Sequence, residues 1–164
     1  MPLTLWCNGL SGSGDWVPDP PVEAVVAYLR ADYSEWGWAD PMVELGWYEW
    51  RGVSVPPVAG MSGDELVRQL LAIRNPDRGF YFEYRERPDG RWLAAIDPAG
   101  SRDECVPNIS HGEEAYFLAA YFLPLAASER VVADFMTTQE PSPALEWMPF
   151  QPLWPRRSER PRRK

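Results

Sequence analysis

Phe80-Tyr81-Phe82-Glu83-Tyr84-Arg85-Glu86-Arg87 is followed by Pro88-Asp89-Gly90 and then by Arg91-Trp92-Leu93-Ala94-Ala95-Ile96-Asp97. The first stretch sets Phe80, Phe82 and Tyr84 against Tyr81, Glu83 and Arg85, the period of two that places alternate side chains on opposite faces of a strand. The second is another apolar run. Pro-Asp-Gly between them is turn chemistry, with a glycine free to take a positive φ. The reading is a β-hairpin, and a hairpin implies an antiparallel sheet.

The rest of the chain is read outward from this hairpin. Upstream, Ser62-Gly63-Asp64-Glu65 has the form of a capping box. It predicts a helix over Asp64–Arg74 that buries Leu66, Leu70, Leu71 and Ile73 or a subset of them, and that Asn75-Pro76-Asp77 stops. Met42–Val55 reads as extended. Near the N-terminus, Asn8–Asp19 is a Gly/Ser-rich loop. Asp19 is placed to cap a helix with Pro20 and Pro21 in its first turn, and Val22, Val25, Val26 and Leu29 share one face. Downstream, Ala115–Leu123 has Ala and Leu suited to a helix and Tyr and Phe suited to a strand, so its reading stays open. Ser128 is a candidate N-cap for a helix over Glu129–Thr138 with Val131, Val132, Phe135 and Met136 on one side. Gln139–Pro143 is a Pro-rich turn, and Ala144–Phe150 a short last strand. Eighteen Pro in 164 residues argue against a long helix bundle. The expected class is α+β: an antiparallel sheet with a few helices packed on it, in a single domain over residues 1–154. Pro155–Lys164 is expected to be a disordered basic tail.

The charge is lopsided. Residues 1–154 carry 23 Asp and Glu against 10 Arg and no Lys, a net charge of −13, and the last ten residues carry five Arg and one Lys against one Glu. Such a surface repels nucleic acid and anionic membranes and attracts basic partners. No stretch reaches the roughly 18 apolar residues of a membrane span, and the N-terminus lacks the features of a secretory signal. The chain is therefore expected in a cytoplasm, with Cys7 and Cys105 as reduced thiols and the Asn108-Ile109-Ser110 sequon unused.

Catalytic equipment is sparse. His111 is the single His. His111-Gly112-Glu113 matches the first half of the zinc deaminase signature H-x-E…P-C-x-x-C, but no C-x-x-C exists and Cys105 precedes the His. One His and two scattered Cys do not make a zinc set. Gly9–Gly14 fits neither phosphate-loop pattern. Glu113-Glu114 and Asp103-Glu104 are adjacent carboxylates, which point to opposite faces of a strand and make poor acid–base pairs. The expectation is no catalysis, no metal and no cofactor. The rivals are a small enzyme using carboxylates alone and a non-catalytic adaptor domain.

The most unusual local feature is Trp36-Gly37-Trp38 followed by Trp47-Tyr48-Glu49-Trp50, with Glu35, Asp40 and Glu44 beside and between them. Trp is enriched at binding hot spots. Glu35, Trp36, Trp38, Asp40, Glu44, Trp47, Tyr48, Glu49 and Trp50 are the candidate partner-binding residues; the competing reading is a sheet whose Trp fill the core.

Ala126–Trp147 (AASERVVADFMTTQEPSPALEW) resembles the close of the bacterial immunity proteins of polymorphic toxin systems, in particular the family paired with secreted deaminase toxins. There a helix ends in a Phe, a Thr-Gly-x-x-Pro turn follows, and a strand ends in Trp. Phe135, Thr137, Pro141 and Trp147 match, while Thr138 stands where the family has Gly. The order of a helix over Asp64–Arg74 before the hairpin is also similar, so that the resemblance covers about residues 60–147; residues 1–59 have no counterpart. The resemblance implies a cytoplasmic, non-enzymatic protein that binds a cognate toxin and blocks its active site. The acidic charge fits independently, because an enzyme acting on nucleic acid carries a basic groove.

Overall fold

The alternation in Phe80–Asp97 is realised as two paired strands. The computed structural model describes residues 3–8, 16–36, 42–49, 66–87, 90–110 and 113–150. In chain order these form β1 (Thr4–Asn8), β2 (Trp16–Pro18), α1 (Val22–Arg30), a 3₁₀ turn at Tyr33–Trp36, β3 (Met42–Tyr48), β4 (Leu66–Asn75), β5 (Gly79–Glu86) and β6 (Trp92–Ile96). β7 (Cys105–Ser110), β8 (Glu113–Leu118), a second 3₁₀ turn at Ala119–Tyr121, β9 (Phe122–Leu123), α2 (Leu125–Thr138) and β10 (Glu146–Pro149) complete them.

Eight strands build one antiparallel sheet in the order β10-β6-β5-β4-β3-β1-β2, with β9 continuing beside the start of β5. β7 and β8 form a separate two-stranded hairpin. Because the first and last strands of the described chain belong to the same sheet, residues 3–150 make a single α+β domain. Register fixes the two faces. On β5, Phe80, Phe82 and Tyr84 point to one side, where Leu70 and Leu93 flank Tyr84. There Val25 and Leu29 of α1 and Val131, Val132, Phe135 and Met136 of α2 cover Leu5, Cys7, Val43, Leu45, Leu70 and Ala72. On the opposite side Val106 and Phe117 of the β7–β8 hairpin cover Leu71, Ile73, Tyr81, Ala94 and Ile96. The molecule is thus three layers, with the hairpin read from the sequence at the centre.

The helix expected over Asp64–Arg74 is not there: Leu66–Asn75 is the strand β4, between β3 and β5. Its central position explains the misreading. Leu70, Leu71, Ala72 and Ile73 are all buried, because both faces of the strand are covered. A doubly covered strand shows no alternation, and Leu, Arg, Gln and Ala are good helix formers. Tertiary pairing overrides that propensity. The proposed capping box, residues 62–65, lies outside the described residues.

Other boundaries also move. Asp19 does not cap α1: Pro21 is the N-cap and makes no side-chain bond. Asp19 instead pins β1, accepting from the Leu5 N–H through Oδ1 and donating its own N–H to the Leu5 carbonyl. α2 begins four residues sooner than expected, at Leu125 behind Pro124 rather than at Glu129, and Ser128 lies inside it, its hydroxyl donating to the Pro124 carbonyl. Ala115–Leu123 is neither one helix nor one strand: β8, a 3₁₀ turn and β9 divide it. The last strand is Glu146–Pro149, shorter than Ala144–Phe150. The expected extension of Met42–Val55 holds over β3 and stops before Glu49; residues 50–55 lie outside the described residues, as does Pro155–Lys164. One glycine is dictated by the packing. Gly79 has φ +102°, and a Cβ there would collide with the Leu123 carbonyl oxygen where β9 meets β5.

Candidate partner-binding surface

The six described candidates, Glu35, Trp36, Glu44, Trp47, Tyr48 and Glu49, do not share one surface. Trp36, at 2% exposure, is core: it stacks on Tyr28 at 4.8 Å between ring centroids and donates its indole N–H to the Tyr28 carbonyl at 2.9 Å. Trp47 lies half-buried on the same helix-covered face and donates to the Phe135 carbonyl. Tyr48 is buried on the opposite face, edge-on to Trp16, and burial with the nearby Glu44 carboxylate raises its phenol pKa. Glu44 is half-buried there and accepts from Gln69 Nε2. Glu35 and Glu49 are exposed. Trp38, Asp40 and Trp50 lie outside the described residues. Among the described candidates, the large rings therefore serve packing, and of the carboxylates Glu35 and Glu49 face solvent while Glu44 is half-buried.

The charge surplus is visible in the ion pairs. Six described arginines face carboxylates: Arg30 with Glu129, Arg68 with Glu86 and Glu140, Arg78 with Glu104, Arg85 with Glu83, Arg91 with Glu86 and Glu140, and Arg102 with Glu146. Most of the described arginines are thus engaged by the protein's own carboxylates. Glu23, Asp32, Glu35, Glu49, Asp77 and Asp103 are exposed and form no ion pair with a described residue. They are the acids left to face a partner.

A feature passed over in the sequence lies at the end of the β5–β6 hairpin. Trp92 is 45% exposed, the most exposed large hydrophobic side chain among the described residues. Arg85 sits opposite it in the register with its guanidinium carbon 4.3 Å from the Trp92 ring centroid, and Phe150 packs at 4.7 Å between centroids. Behind them is Glu83, only 3% exposed, whose carboxylate accepts from the Tyr81 hydroxyl at 2.9 Å, from Arg85 at 2.8 Å and from the Trp92 indole N–H at 3.0 Å. Arg85, Arg87, Arg91, Glu86, Gly90 and Trp92 line an open depression of about 210 Å³. The available signal was Arg85, Arg87 and Arg91 within seven residues of a chain otherwise poor in cations, beside a Trp.

The cysteines are both free. Cys7 is fully buried in β1, and burial, helped by Glu44, pushes its thiol up to about 12, so it stays protonated and unreactive. Cys105 is exposed at the start of β7. His111 lies outside the described residues. No helix among the described residues is long and apolar enough to cross a membrane. Comparison with protein-family models, with curated proteins and with solved structures finds no match to this chain.

Proposed function

We propose that this protein is an immunity protein: it binds a cognate bacterial toxin, one acting on nucleic acid, and holds its active site closed. The observation that carries the reading is the resemblance of Ala126–Trp147 to the close of the immunity proteins paired with deaminase toxins. The helix–turn–strand order is there, though α2 runs past Phe135 to Thr138 before a left-handed Gln139 with φ 64° ends it, and β10 runs past Trp147 to Pro149. The left-handed residue falls one position after Thr138, which explains how the turn forms without the family's Gly. The upstream half of the resemblance adds nothing, because Leu66–Asn75 is a strand. Charge supports the reading separately. A surface of exposed carboxylates with no ion-pair partner among the described residues suits a protein whose basic groove binds nucleic acid, and it disfavours nucleic acid itself.

The test is genetic and direct. The gene beside this one should encode a large toxin whose C-terminal domain kills when expressed inside a bacterial cell. Co-expression of this chain should restore growth, and the two proteins should co-elute as a complex. Unrelieved killing by that toxin, or two proteins that elute separately, would overturn the proposal.

A further inference from the structure

The depression at the end of the β5–β6 hairpin runs against the charge of the rest of the molecule. Among the described residues its lining has three guanidiniums and one carboxylate. The carboxylate, Glu86, is already engaged by Arg68 and Arg91, and Arg91 also holds Glu140. Arg85 is fixed by its bond to the buried Glu83 and by stacking on Trp92, and that bond uses one of its five N–H donors. Arg87 forms no ion pair with a described residue. Two arginines are thus held rigid before any ligand arrives, and a third has no carboxylate partner among the described residues. Rigid donors lose little conformational entropy on binding, and a guanidinium fork matches a carboxylate with two parallel bonds.

We infer that this depression binds one carboxylate side chain of a partner protein, with the stem of that Asp or Glu lying against Trp92. The void has room for one side chain and some water. A nucleic-acid backbone is disfavoured, because the −13 of residues 1–154 repels a polyanion over its whole length. A lone carboxylate on a basic protein meets no such repulsion. The pair also supplies what general attraction lacks: long-range charge speeds encounter, whereas one reciprocal pair in a fixed pocket sets register and rejects wrong partners. The partner's identity as a toxin rests on the function proposed above, but the preference for a carboxylate does not.

The two are separable by experiment. The full chain, labelled with ¹⁵N, is titrated with sodium propionate, with sodium chloride at matched ionic strength and with inorganic phosphate. Propionate should shift the Arg85 Nε–H and Trp92 Nε1–H resonances along a saturable curve in the millimolar range, and chloride should not. Arg87→Gln, which breaks no ion pair with a described residue, should weaken propionate binding at least fivefold while leaving the remaining spectrum in place. Propionate shifts that follow chloride, or an Arg87→Gln protein that binds within twofold of the wild type, overturn the site. Phosphate binding more than tenfold tighter than propionate overturns the carboxylate assignment. With the neighbouring toxin, Arg87→Glu should speed dissociation at least tenfold, and unchanged dissociation overturns the docking role. A toxin that never binds the wild-type chain counts against the proposed function alone.

Discussion

Glu83 is a carboxylate in the position of a core residue. It survives there because three donors meet it, one of them the fully buried Tyr81 hydroxyl. Burial and the Glu83 carboxylate together hold the Tyr81 phenol well above its usual range, so its hydroxyl stays a donor. Removing the carboxylate leaves the Tyr81 hydroxyl, the Trp92 indole and Arg85 without their acceptor, and the cost of stranding buried donors exceeds the worth of the bonds themselves. Glu83→Ala should therefore destabilise the fold by about 3 kcal/mol. Glu83→Gln, which keeps an acceptor oxygen, should cost clearly less; urea denaturation of the three proteins reads the order. Trp36 makes a sharper test of the aromatic cluster. Burial at 2% exposure predicts that Trp36→Ala costs about 3–5 kcal/mol of stability. A variant that unfolds with the wild type would place Trp36 at the surface as a partner contact.

At the scale of elements, α2 is tied to the centre of the sheet by a closed ring of charges. Arg68 reaches Glu86 at 3.7 Å and Glu140 at 3.1 Å, while Arg91 reaches the same two carboxylates at 3.0 and 2.7 Å. β4, β5 and the approach to β6 are thereby joined to the residues just beyond α2. The hydrogen bond from Arg91, and then its charge, lower the Glu86 carboxyl below its usual 4.5. A carboxylate depressed on folding contributes stability above its unfolded pKa, and loses it as pH falls through the folded one. Below about pH 4.5 the wild type should therefore lose a contribution that Glu86→Gln has already lost at neutral pH. The two stability-versus-pH curves should converge on acidification, which thermal unfolding over that range will show. The same elements show what the sequence could and could not display. β5 and β6 were legible within a residue or two because one face of their alternation and a Pro-Asp-Gly turn both mark them. The buried face of α2 was legible in Val131, Val132, Phe135 and Met136, all of them in the core. β4 was not, because a strand covered on both sides carries no period of two. Ser128 looked like a cap only because its bond to the Pro124 carbonyl, within the helix, leaves no trace in composition.

At the scale of the whole molecule, the acidity was legible as a number but not as a surface. Which acids remain free depends on which arginines the fold brings to them, and partners such as Arg30 and Glu129 are 99 residues apart. The described candidate residues part for a similar reason: β3 sends Trp47 and Tyr48 to opposite faces, and Trp36 turns inward on Tyr28. What remains for a distant partner to sense is the unpaired set, including Asp32, Glu35, Glu49 and Asp77. Charges at this exposure act through solvent over roughly one Debye length, about 8 Å at physiological salt. They accelerate encounter with a basic protein and do little to hold it afterwards. Asp32→Asn, Glu35→Gln, Glu49→Gln and Asp77→Asn combined should slow association with the toxin by about tenfold at low salt. The rate should also respond less to added salt, with dissociation changed less than twofold. Surface-plasmon kinetics between 50 and 500 mM salt, on the order of the Debye range that matters, separate the two rates. Association that ignores both the four substitutions and the salt would mean that the toxin approaches another face, and that the surplus charge serves solubility. A faster dissociation would mean that one of the four acids is buried in the complex, paired directly with a toxin cation.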